Sequence, residues 1–450
     1  MRQLRIQDTL CGEVVPVEPG DGNRVGIYAC GPTVYGRLHV GNARPYIVFS
    51  LLKRFLEHEG YDATLVVNVT DVNDKIYDAA RERGVPSVEL AGEMTAAYVE
   101  DTDRLGLGRP DEEPKATETI DAIVGLIQDL VDSGHAYERR GDVYFRVASF
   151  DGYGKLSNRP LEEMQQGEGD DAAELKEAPQ DFALWKARKD GEDTWWDSPW
   201  GDGRPGWHIE CSAMAEDVLG VPFEVHGGGS DLVFPHHENE IAQTEAARGK
   251  ALSRTWMHNG MVQMEDAKMA KSVGNIRLLH AALDQFGRDA FVMWMVGAHY
   301  RKPVAYTEEA LEDAARAVAR VKDVVRRLDF GAPGLDGYVD KFFDALADDF
   351  NTPQARAVLF DWVGDANRRM DAGERVGPGR LKEMLWGLGL EALLEVEEEA
   401  PAELQRLAAE REEARASRDF ERADRIRDEL AEAGWEIRDT PEGARLVRQP

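Results

Sequence analysis

The apolar and polar positions near the N-terminus predict a strand, a helix and a second strand in succession. Residues 25–30 (VGIYAC) and 64–69 (TLVVNV) are short apolar runs of the kind that form buried strands. Between them, the apolar residues of segment 41–58 recur at spacings of three and four, which is the period of an amphipathic helix. A strand, a helix and a strand in close succession are typical of a parallel, doubly wound α/β sheet.

Further along the chain, helical periodicity continues over residues 87–104 and 115–134, and then the pattern changes. Residues 135–206 combine short strand-like pieces with an acidic tract and a turn-rich segment. We interpret them as an insertion between the two halves of the sheet. Helical patterns return from residue 307 to about residue 394, and Pro353 marks a helix end within them.

The C-terminal segment predicts two charged helices, at 402–417 and 419–433, followed by a β-hairpin that turns at 441–443. We therefore expect a Rossmann-type catalytic domain with an insertion, then an α-helical bundle and a small α+β C-terminal domain. The expected boundaries are 1–134 and 207–250 for the two halves of the catalytic domain, 135–206 for the connective insertion, 251–306 for a region with a polar loop, 307–396 for the bundle and 397–450 for the C-terminal domain.

The composition is that of a globular protein, with 42% apolar and 31% charged residues. No apolar run is long enough to span a bilayer, and the N-terminus lacks the apolar core of a secretory signal. Three cysteines at scattered positions argue against a disulfide scaffold and for a reducing compartment. We expect a cytoplasmic location and no membrane association.

The formal net charge of −31 opposes the binding of a phosphate-rich partner, because a uniformly acidic protein repels nucleic acid. Two explanations would reconcile this charge with RNA binding. The basic residues are concentrated on one face, or the acidity is a solvation device for a salty cytoplasm. The sequence does not choose between them.

Two short motifs predict a phosphate site. His39, Gly41 and Asn42 belong to the sequence HVGN at the start of the predicted helix, where backbone N–H groups and the helix dipole attract anions. Lys268 and Lys271 belong to KMAKS, a polar stretch that presents two ammonium groups. Such cations neutralise the charge that develops when a carboxylate attacks a phosphate and pyrophosphate leaves.

A metal site is predicted by thiol, imidazole and carboxylate groups in three separate motifs, and these are the ligands that Zn²⁺ prefers. The candidate ligands are Cys30, Cys211, His236 and Glu240. His236 and Glu240 are four residues apart on a predicted helix, Cys30 ends a predicted strand, and Cys211 is expected to follow another. The carboxyl ends of parallel strands face one crevice, so these groups can converge there. On spacing alone, His237 and His208 are equally good candidates for the imidazole.

The motifs YACGPTVYGRLHVGN, GWHIECSAM, FPHHENE and KMAKS together resemble cysteinyl-tRNA synthetases, which are class I aminoacyl-tRNA synthetases. The pair HVGN and KMAKS is similar to the HIGH and KMSKS signatures of that class. Asn42 replaces the last histidine, and Ala270 replaces the serine. Asparagine still donates a hydrogen bond and both lysines are present, so we expect activity without any contact from the absent hydroxyl.

The resemblance implies a role for each matching residue. It implies that L-cysteine is activated by ATP and Mg²⁺ and passed to tRNA(Cys), by a chain that we expect to be a monomer with one Zn²⁺. The implied residues are His39, Asn42, Lys268 and Lys271 for catalysis; His39, Gly41, Asn42, Gly227, Gly228, Gly229 and Lys271 for ATP; Thr70, Trp207 and Asp231 for the amino acid; Cys30, Cys211, His236 and Glu240 for zinc; and Arg427, Trp435 and Arg438 for the tRNA anticodon.

Zinc would explain how cysteine is selected. Cysteine differs from serine by one atom, and an ordinary pocket separates such analogues by only about 1–3 kcal/mol. Direct binding of a soft thiolate to Zn²⁺ favours sulfur much more strongly. We therefore predict little need for a proofreading domain.

Two other functions are compatible with these motifs. One is a cysteine ligase that passes the activated amino acid to an amino sugar, as in mycothiol synthesis. The other is a zinc protein that descends from a synthetase and has lost catalysis. The long helical C-terminal third favours tRNA as the acceptor, and the retention of both HVGN and the two lysines favours an enzyme.

Overall fold

The computed structural model describes residues 1–160, 174–264, 267–268, 277–395, 400–417, 419–440 and 443–448. The chain forms two compact units, Met1–Glu391 and Ala392–Pro450. Among the described helices, none is long and apolar enough to cross a membrane.

The strands of the first unit are short, and the described ones form four sheets. They are Arg5–Gln7 (β1), Val14–Pro16 (β2), Arg24–Ala29 (β3), Asp62–Val67 (β4), Ala136–Arg139 (β5), Asp142–Phe145 (β6), Phe182–Ala187 (β7), Gly203–Pro205 (β8), Phe223–Gly229 (β9), Ser253–Asn259 (β10), Val262–Met264 (β11), Ala267–Lys268 (β12) and Val304–Tyr306 (β13). The second unit adds Trp435–Thr440 (β14) and Gly443–Arg448 (β15).

Helices connect and cover these strands. They are Ala43–Glu59 (α1), Asp74–Arg83 (α2), Ser87–Asp103 (α3), Ile120–Asp132 (α4), Trp207–Leu219 (α5), Glu238–Arg248 (α6), Leu279–Phe286 (α7), Arg288–Met295 (α8), Glu308–Arg327 (α9), Val339–Ala347 (α10), Thr352–Asp371 (α11), Leu381–Gly387 (α12), Ala402–Ala416 (α13) and Phe420–Glu432 (α14).

The central sheet has the order β10-β9-β3-β4, and all neighbouring strands are parallel. Strands β3 and β4 are joined by α1, so the predicted strand, helix and strand are confirmed. Helix α1 buries Phe49 and Phe55 completely, as its apolar spacing requires. It ends at Gly60, whose φ of 89° is left-handed and whose N–H group bonds the last carbonyls of the helix. The α/β fold class is therefore confirmed.

A second sheet, of order β5-β6-β7-β8, is antiparallel throughout. Its side chains, including Phe145 and Trp185, pack in one apolar cluster with residues of α4 and with Ile209 and Ala213 of α5. Other residues of α5 pack in a different cluster, with the central sheet. Helix α5 therefore has one face in each core. The sheet lies in the part of the sequence where we predicted an insertion.

The predicted helical region after residue 307 is formed by α9 to α12. The side chain of Thr307 caps α9 by accepting the N–H group of Ala310 at 3.1 Å. Asn351 caps α11 in the same way, accepting from Gln354 at 3.1 Å, and Pro353 occupies the first turn.

The second unit consists of helices α13 and α14 and an antiparallel hairpin, β14 and β15. Ala408, Ile426 and Leu430 form its small core, with Ile437 and Leu446 of the hairpin packed against them. The predicted hairpin is confirmed. Part of its predicted turn lies outside the described residues.

Candidate metal centre and nucleotide site

The four candidate zinc ligands come from three places in the first unit. Cys30 follows β3 directly, at its carboxyl end. Cys211 lies in α5, and His236 and Glu240 lie on either side of the junction between one π-helical turn, Val233–His237, and α6. A strand, β8, does precede Cys211, but the prediction that the strand extends into WHIE was wrong: β8 ends at Pro205 and the helix begins at Trp207.

The four donor groups nevertheless converge. The Sγ atom of Cys30 lies 3.9 Å from Sγ of Cys211 and 3.6 Å from Oε1 of Glu240. Nε2 of His236 lies 3.0 Å from the same Oε1. One ligand atom from each of the four residues lies within 4.8 Å of the others.

A second set of donors shares two of these residues. His226 and His237, with Cys30 and Glu240, also place their ligand atoms within 4.8 Å of one another. Nε2 of His237 lies 3.3 Å from Sγ of Cys30, and Nε2 of His226 lies 2.7 Å from Oε2 of Glu240. Our sequence reasoning considered His237 but missed His226. The only signal for His226 is a polar residue within the buried strand FEVHGG.

Further histidines orient these groups. Nδ1 of His208 lies 2.8 Å from Nδ1 of His236, so His236 directs its other nitrogen, Nε2, towards Glu240 and the thiols. Nδ1 of His237 lies 2.7 Å from Nε2 of His258, and Nδ1 of His258 lies 2.7 Å from the hydroxyl of Thr9. Fixing one ring nitrogen in this way sets the tautomer and the direction of the other.

Burial controls the charge of the cluster. Burial raises the pKa of the Cys30 thiol well above its usual value, and Cys211 and Glu240 raise it further. A hydrogen bond with Cys30 lowers the pKa of Cys211, but burial and Glu240 outweigh it and raise the pKa. Burial lowers the pKa of His236 to about 3, so its imidazole is neutral at pH 7.

These donors fit Zn²⁺. Among the described residues, the ion pairs of Glu240 are with histidines only, so no lysine or arginine compensates its charge. Two thiols and a carboxylate in an apolar core need a positive charge to ionise. A divalent cation with an affinity for sulfur and nitrogen supplies that charge.

The HVGN segment is tightly organised. The backbone N–H group of His39 donates to Oδ1 of Asn42 at 3.1 Å, and the N–H group of Gly41 donates to Nδ1 of His39 at 3.1 Å. A Cβ atom at Gly41 would lie 2.9 Å from the ring of His39, so a larger residue here would displace that ring. These contacts fix the His39 ring and the Asn42 amide relative to each other at the start of α1.

Packing explains the glycines at the end of β9. A Cβ atom at Gly227 would lie 2.0 Å from Cζ of Phe49, and one at Gly228 would lie 3.0 Å from the ring of His237. At Gly229 it would lie 2.5 Å from the carboxylate of Asp231. Close approach of ATP to these glycines stays a prediction.

The predicted amino-acid pocket begins beside the metal cluster. The ring of Trp207 is 36% exposed and stacks on His236, with 4.3 Å between ring centres. The hydroxyl of Thr70 donates to Oε2 of Glu210 at 3.2 Å, a carboxyl that the sequence reasoning missed. Burial, assisted by the charge of Asp71, raises the pKa of Glu210 well above its usual value. Asp231 is exposed and lies two residues after the end of β9.

A cavity of about 550 Å³ is lined partly by residues that neighbour the predicted amino-acid pocket in sequence. Its walls include Asp71, which directly follows Thr70, and apolar side chains such as Ile76 and Trp196. Among the described residues that line it, none is a candidate zinc ligand. The cavity is therefore distinct from the metal cluster.

Some predicted residues are only partly described. The backbone of Lys268 pairs with Gln263 of β11, but its side chain, like all of Ala270 and Lys271, lies outside the described residues. The side chain of Arg438 also lies outside them.

Two predicted tRNA contacts are described in the second unit. Trp435 is 6% exposed, which leaves little of its ring for a base to stack on. Arg427 is exposed and pairs with Asp424 at 3.0 Å. Their roles in tRNA binding stay predictions.

Comparison with known proteins identifies the class. Residues 16–316 match the family model described as tRNA synthetases class I (C) catalytic domain, and residues 341–390 match the DALR domain. Solved structures share the fold. A methionyl-tRNA synthetase from Mycobacterium tuberculosis, in complex with methionyl-adenylate, covers 82% of this chain and 88% of its own, at 16% identity and a TM-score of 0.61.

Full-length relatives identify the family within that class. A cysteine–tRNA ligase of Halorhodospira halophila is 45% identical over 457 residues, which cover 99% of each chain. One from Geobacillus thermodenitrificans is 44% identical over 468 residues and 100% of each chain. The chain therefore belongs to the cysteine–tRNA ligase family.

Proposed function

We propose that this chain activates L-cysteine with ATP as cysteinyl-adenylate and transfers it to tRNA(Cys), with one Zn²⁺ selecting the substrate thiol. The observation that carries the proposal is the convergence of Cys30, Cys211, His236 and Glu240 within 4.8 Å in an apolar core. This donor set is preferred to the one that contains His226 and His237 because it includes both thiols.

The protein's own residues prepare the metal site. Nδ1 of His236 is held by His208, and Oε2 of Glu240 accepts a hydrogen bond from His226. When it is bound, Zn²⁺ offers a coordination position that prefers a thiolate to a hydroxyl. Trp207 lies over His236 as a partly exposed wall, and it would confine the cysteine side chain there.

The remaining substrate groups have proposed partners on this chain. Asp231 would bind the ammonium group of cysteine, and Thr70 would line the pocket. His39 and Asn42, fixed to each other at the start of α1, would contact ATP with its Mg²⁺. Lys268 and Lys271 would neutralise the charge on the α-phosphate as pyrophosphate leaves.

The acceptor proposed is tRNA, not an amino sugar. The support is the DALR domain at residues 341–390 and the full-length match to cysteine–tRNA ligases. A small acceptor would not need the second unit. We assign that unit, with Arg427, Trp435 and Arg438, to the anticodon, and residues 251–306 to the acceptor-stem side.

We also propose a monomer in the cytoplasm. The described cysteines Cys11, Cys30 and Cys211 are all free thiols, as a reducing compartment requires. Light scattering of the purified protein tests the oligomeric state.

Zinc content and cysteine-dependent exchange of pyrophosphate into ATP test the main proposal. The wild-type protein should hold one equivalent of zinc and catalyse exchange with cysteine but not with serine. Cys211→Ser should lose the zinc and most of the exchange. Cys11→Ser is the matched control, because Cys11 is exposed and lies outside both donor sets.

Three results would contradict the proposal. Zinc that stays at one equivalent in Cys211→Ser would show that the ligand set is wrong. Absence of exchange at full zinc occupancy would favour a protein without catalysis. Exchange without charging of tRNA would favour a different acceptor.

A further inference from the structure

A buried arginine lies next to the HVGN segment. Arg44 belongs to the first turn of α1, two residues after Asn42, and is 2% exposed. Within the part of the chain that the structure describes, its guanidinium pairs with no carboxylate. Burial lowers the pKa of Arg44 to about 10, so the side chain is still charged at pH 7.

Backbone carbonyls take the place of a counter-ion. The guanidinium of Arg44 donates to the carbonyl oxygens of Met261 (3.0 Å), His299 (3.2 Å), Tyr300 (3.3 Å) and Lys302. Nη1 donates to Met261, and the two N–H groups of Nη2 are shared among the other three carbonyls, so two nitrogens of one planar group reach all four acceptors. The single nitrogen of a lysine would not occupy both positions, so the site favours arginine over lysine.

Two of these carbonyls lie where strands begin. Met261 directly precedes β11, and Lys302 lies two residues before β13. Strand β11 pairs with β13 on one side and, on the other, with β12, in which the backbone of Lys268 pairs with Gln263. Arg44 thus holds the small sheet that carries the first lysine of KMAKS.

The residues that follow KMAKS are hydrogen-bonded to the HVGN segment and its neighbour Leu38. The N–H group of Val40 donates to the carbonyl of Arg277 at 2.9 Å, and the N–H group of Leu279 donates to the carbonyl of Leu38 at 2.8 Å. Residues on both sides of KMAKS are therefore tied to the stretch from Leu38 to Arg44.

We propose that Arg44 is a positioning residue for adenylate formation: it fixes the strand that leads to the two lysines relative to His39 and Asn42. This inference rests on the proposed function of those lysines. A misplacement of about 1 Å at a reacting group costs roughly 100-fold in rate. Loosening β11 should therefore slow the reaction on ATP without altering the zinc site.

The experiment compares three variants of the full chain with the wild type. Arg44→Lys retains the charge, Arg44→Met retains the length without the charge, and Arg54→Lys is the matched control on the same helix. Arg54 is also buried, but it pairs with Glu391 at 2.9 Å. Steady-state exchange of pyrophosphate into ATP gives kcat and the KM values for ATP and cysteine, and metal analysis gives zinc content.

We expect Arg44→Lys to lower kcat or raise the KM for ATP, by about 10- to 100-fold in kcat/KM. The KM for cysteine and the zinc content should stay within about twofold of wild type, and Arg44→Met should be more affected. Hydrogen–deuterium exchange should show faster exchange at 261–264 and 304–306 in the Arg44 variants but not in Arg54→Lys. This readout does not need activity.

Three outcomes would overturn the inference. One is wild-type kinetics for Arg44→Lys and Arg44→Met. The second is a loss of kcat/KM that is as large for cysteine as for ATP and as large in Arg54→Lys as in Arg44→Lys. That pattern would indicate general destabilisation. The third is unchanged hydrogen exchange at β11 and β13. A wild-type protein that does not catalyse exchange would instead refute the proposed function, so the two failures are distinguishable.

Discussion

Replacement of His226 by phenylalanine tests the metal centre through a residue that does not belong to the preferred ligand set. His226 is completely buried in β9, and its Nε2 lies 2.7 Å from Oε2 of Glu240. Its Nδ1 has no hydrogen-bond partner among the described residues. Nε2 therefore carries the proton and donates to the carboxylate. Phenylalanine keeps a ring that can stack on Trp256, at 4.4 Å in the wild type, and removes the donor at the cost of a slightly larger ring.

The magnitude follows from the role of that hydrogen bond. Glu240 uses its two oxygens differently, because Oε1 faces His236 and Cys30 whereas Oε2 accepts from His226. Loss of a partner that orients a metal ligand typically lowers metal affinity 10- to 100-fold. That factor corresponds to about 1.4–2.7 kcal/mol at 25 °C. We expect zinc binding to weaken by this amount without being abolished.

The assay is a competition titration of zinc between the apoprotein and a chromophoric chelator at pH 7.5. His135→Phe is the control, since His135 also loses one hydrogen bond, to Ser149 at 2.8 Å, and stacks on Phe145 away from the metal cluster. Its zinc affinity should equal that of wild type. Wild-type affinity in His226→Phe would refute the reasoning, and so would complete loss of zinc, which would indicate that His226 is itself a ligand.

Three further predictions concern stability. Burial raises the pKa of Glu59, but hydrogen bonds from Arg2 and His58 outweigh it and lower the pKa overall. Because the pKa of Glu59 is lower in the folded protein, its stabilisation is present above the unfolded pKa and is lost as pH falls through the folded pKa. In urea unfolding, Glu59→Gln should therefore have a free energy of unfolding about 1–3 kcal/mol below that of wild type at pH 7, and this difference should shrink below about pH 4. Gly227→Ala should lower the free energy of unfolding by about 1–3 kcal/mol, because its Cβ would meet the ring of Phe49, and an unchanged melting temperature would contradict this. Since the net charge is −31, raising NaCl from about 0.05 to 0.5 M should raise the melting temperature yet weaken tRNA binding, and a fall in both would contradict the charge argument.

The sequence predicted those parts of the fold that have a regular apolar pattern. The strand at 25–30, the helix at 41–58 and the strand at 64–69 correspond to β3, α1 and β4. The segment around Cys211 was misread, since WHIEC alternates in polarity like a strand. Its residues form a helix with apolar side chains in two different cores, so the alternation does not mark the two faces of a strand.

The sequence predicted those residues of the candidate site that belong to local motifs. Cys30, Cys211 and Glu240 stand in dense motifs, and the structure brings their side chains together. His226 and His258 were missed because each lies within a buried strand and outside the motifs that carry the other candidates. The register of β9 and β10, in which His226 is paired with Trp256, places both histidines beside the cluster. The sequence of either strand alone does not predict that register.

The position of α5 limits how this protein can be dismantled. Ile209 and Ala213 belong to the apolar core of the antiparallel sheet, whereas Cys211 and Met214 belong to the core of the parallel sheet. Cutting out residues 135–206 to obtain a minimal enzyme would leave two apolar side chains of this helix in water and would release a thiol from its fixed place. Truncation or domain grafting at that sheet should therefore change metal retention, even though none of the candidate ligands lies among the described residues of the excised segment.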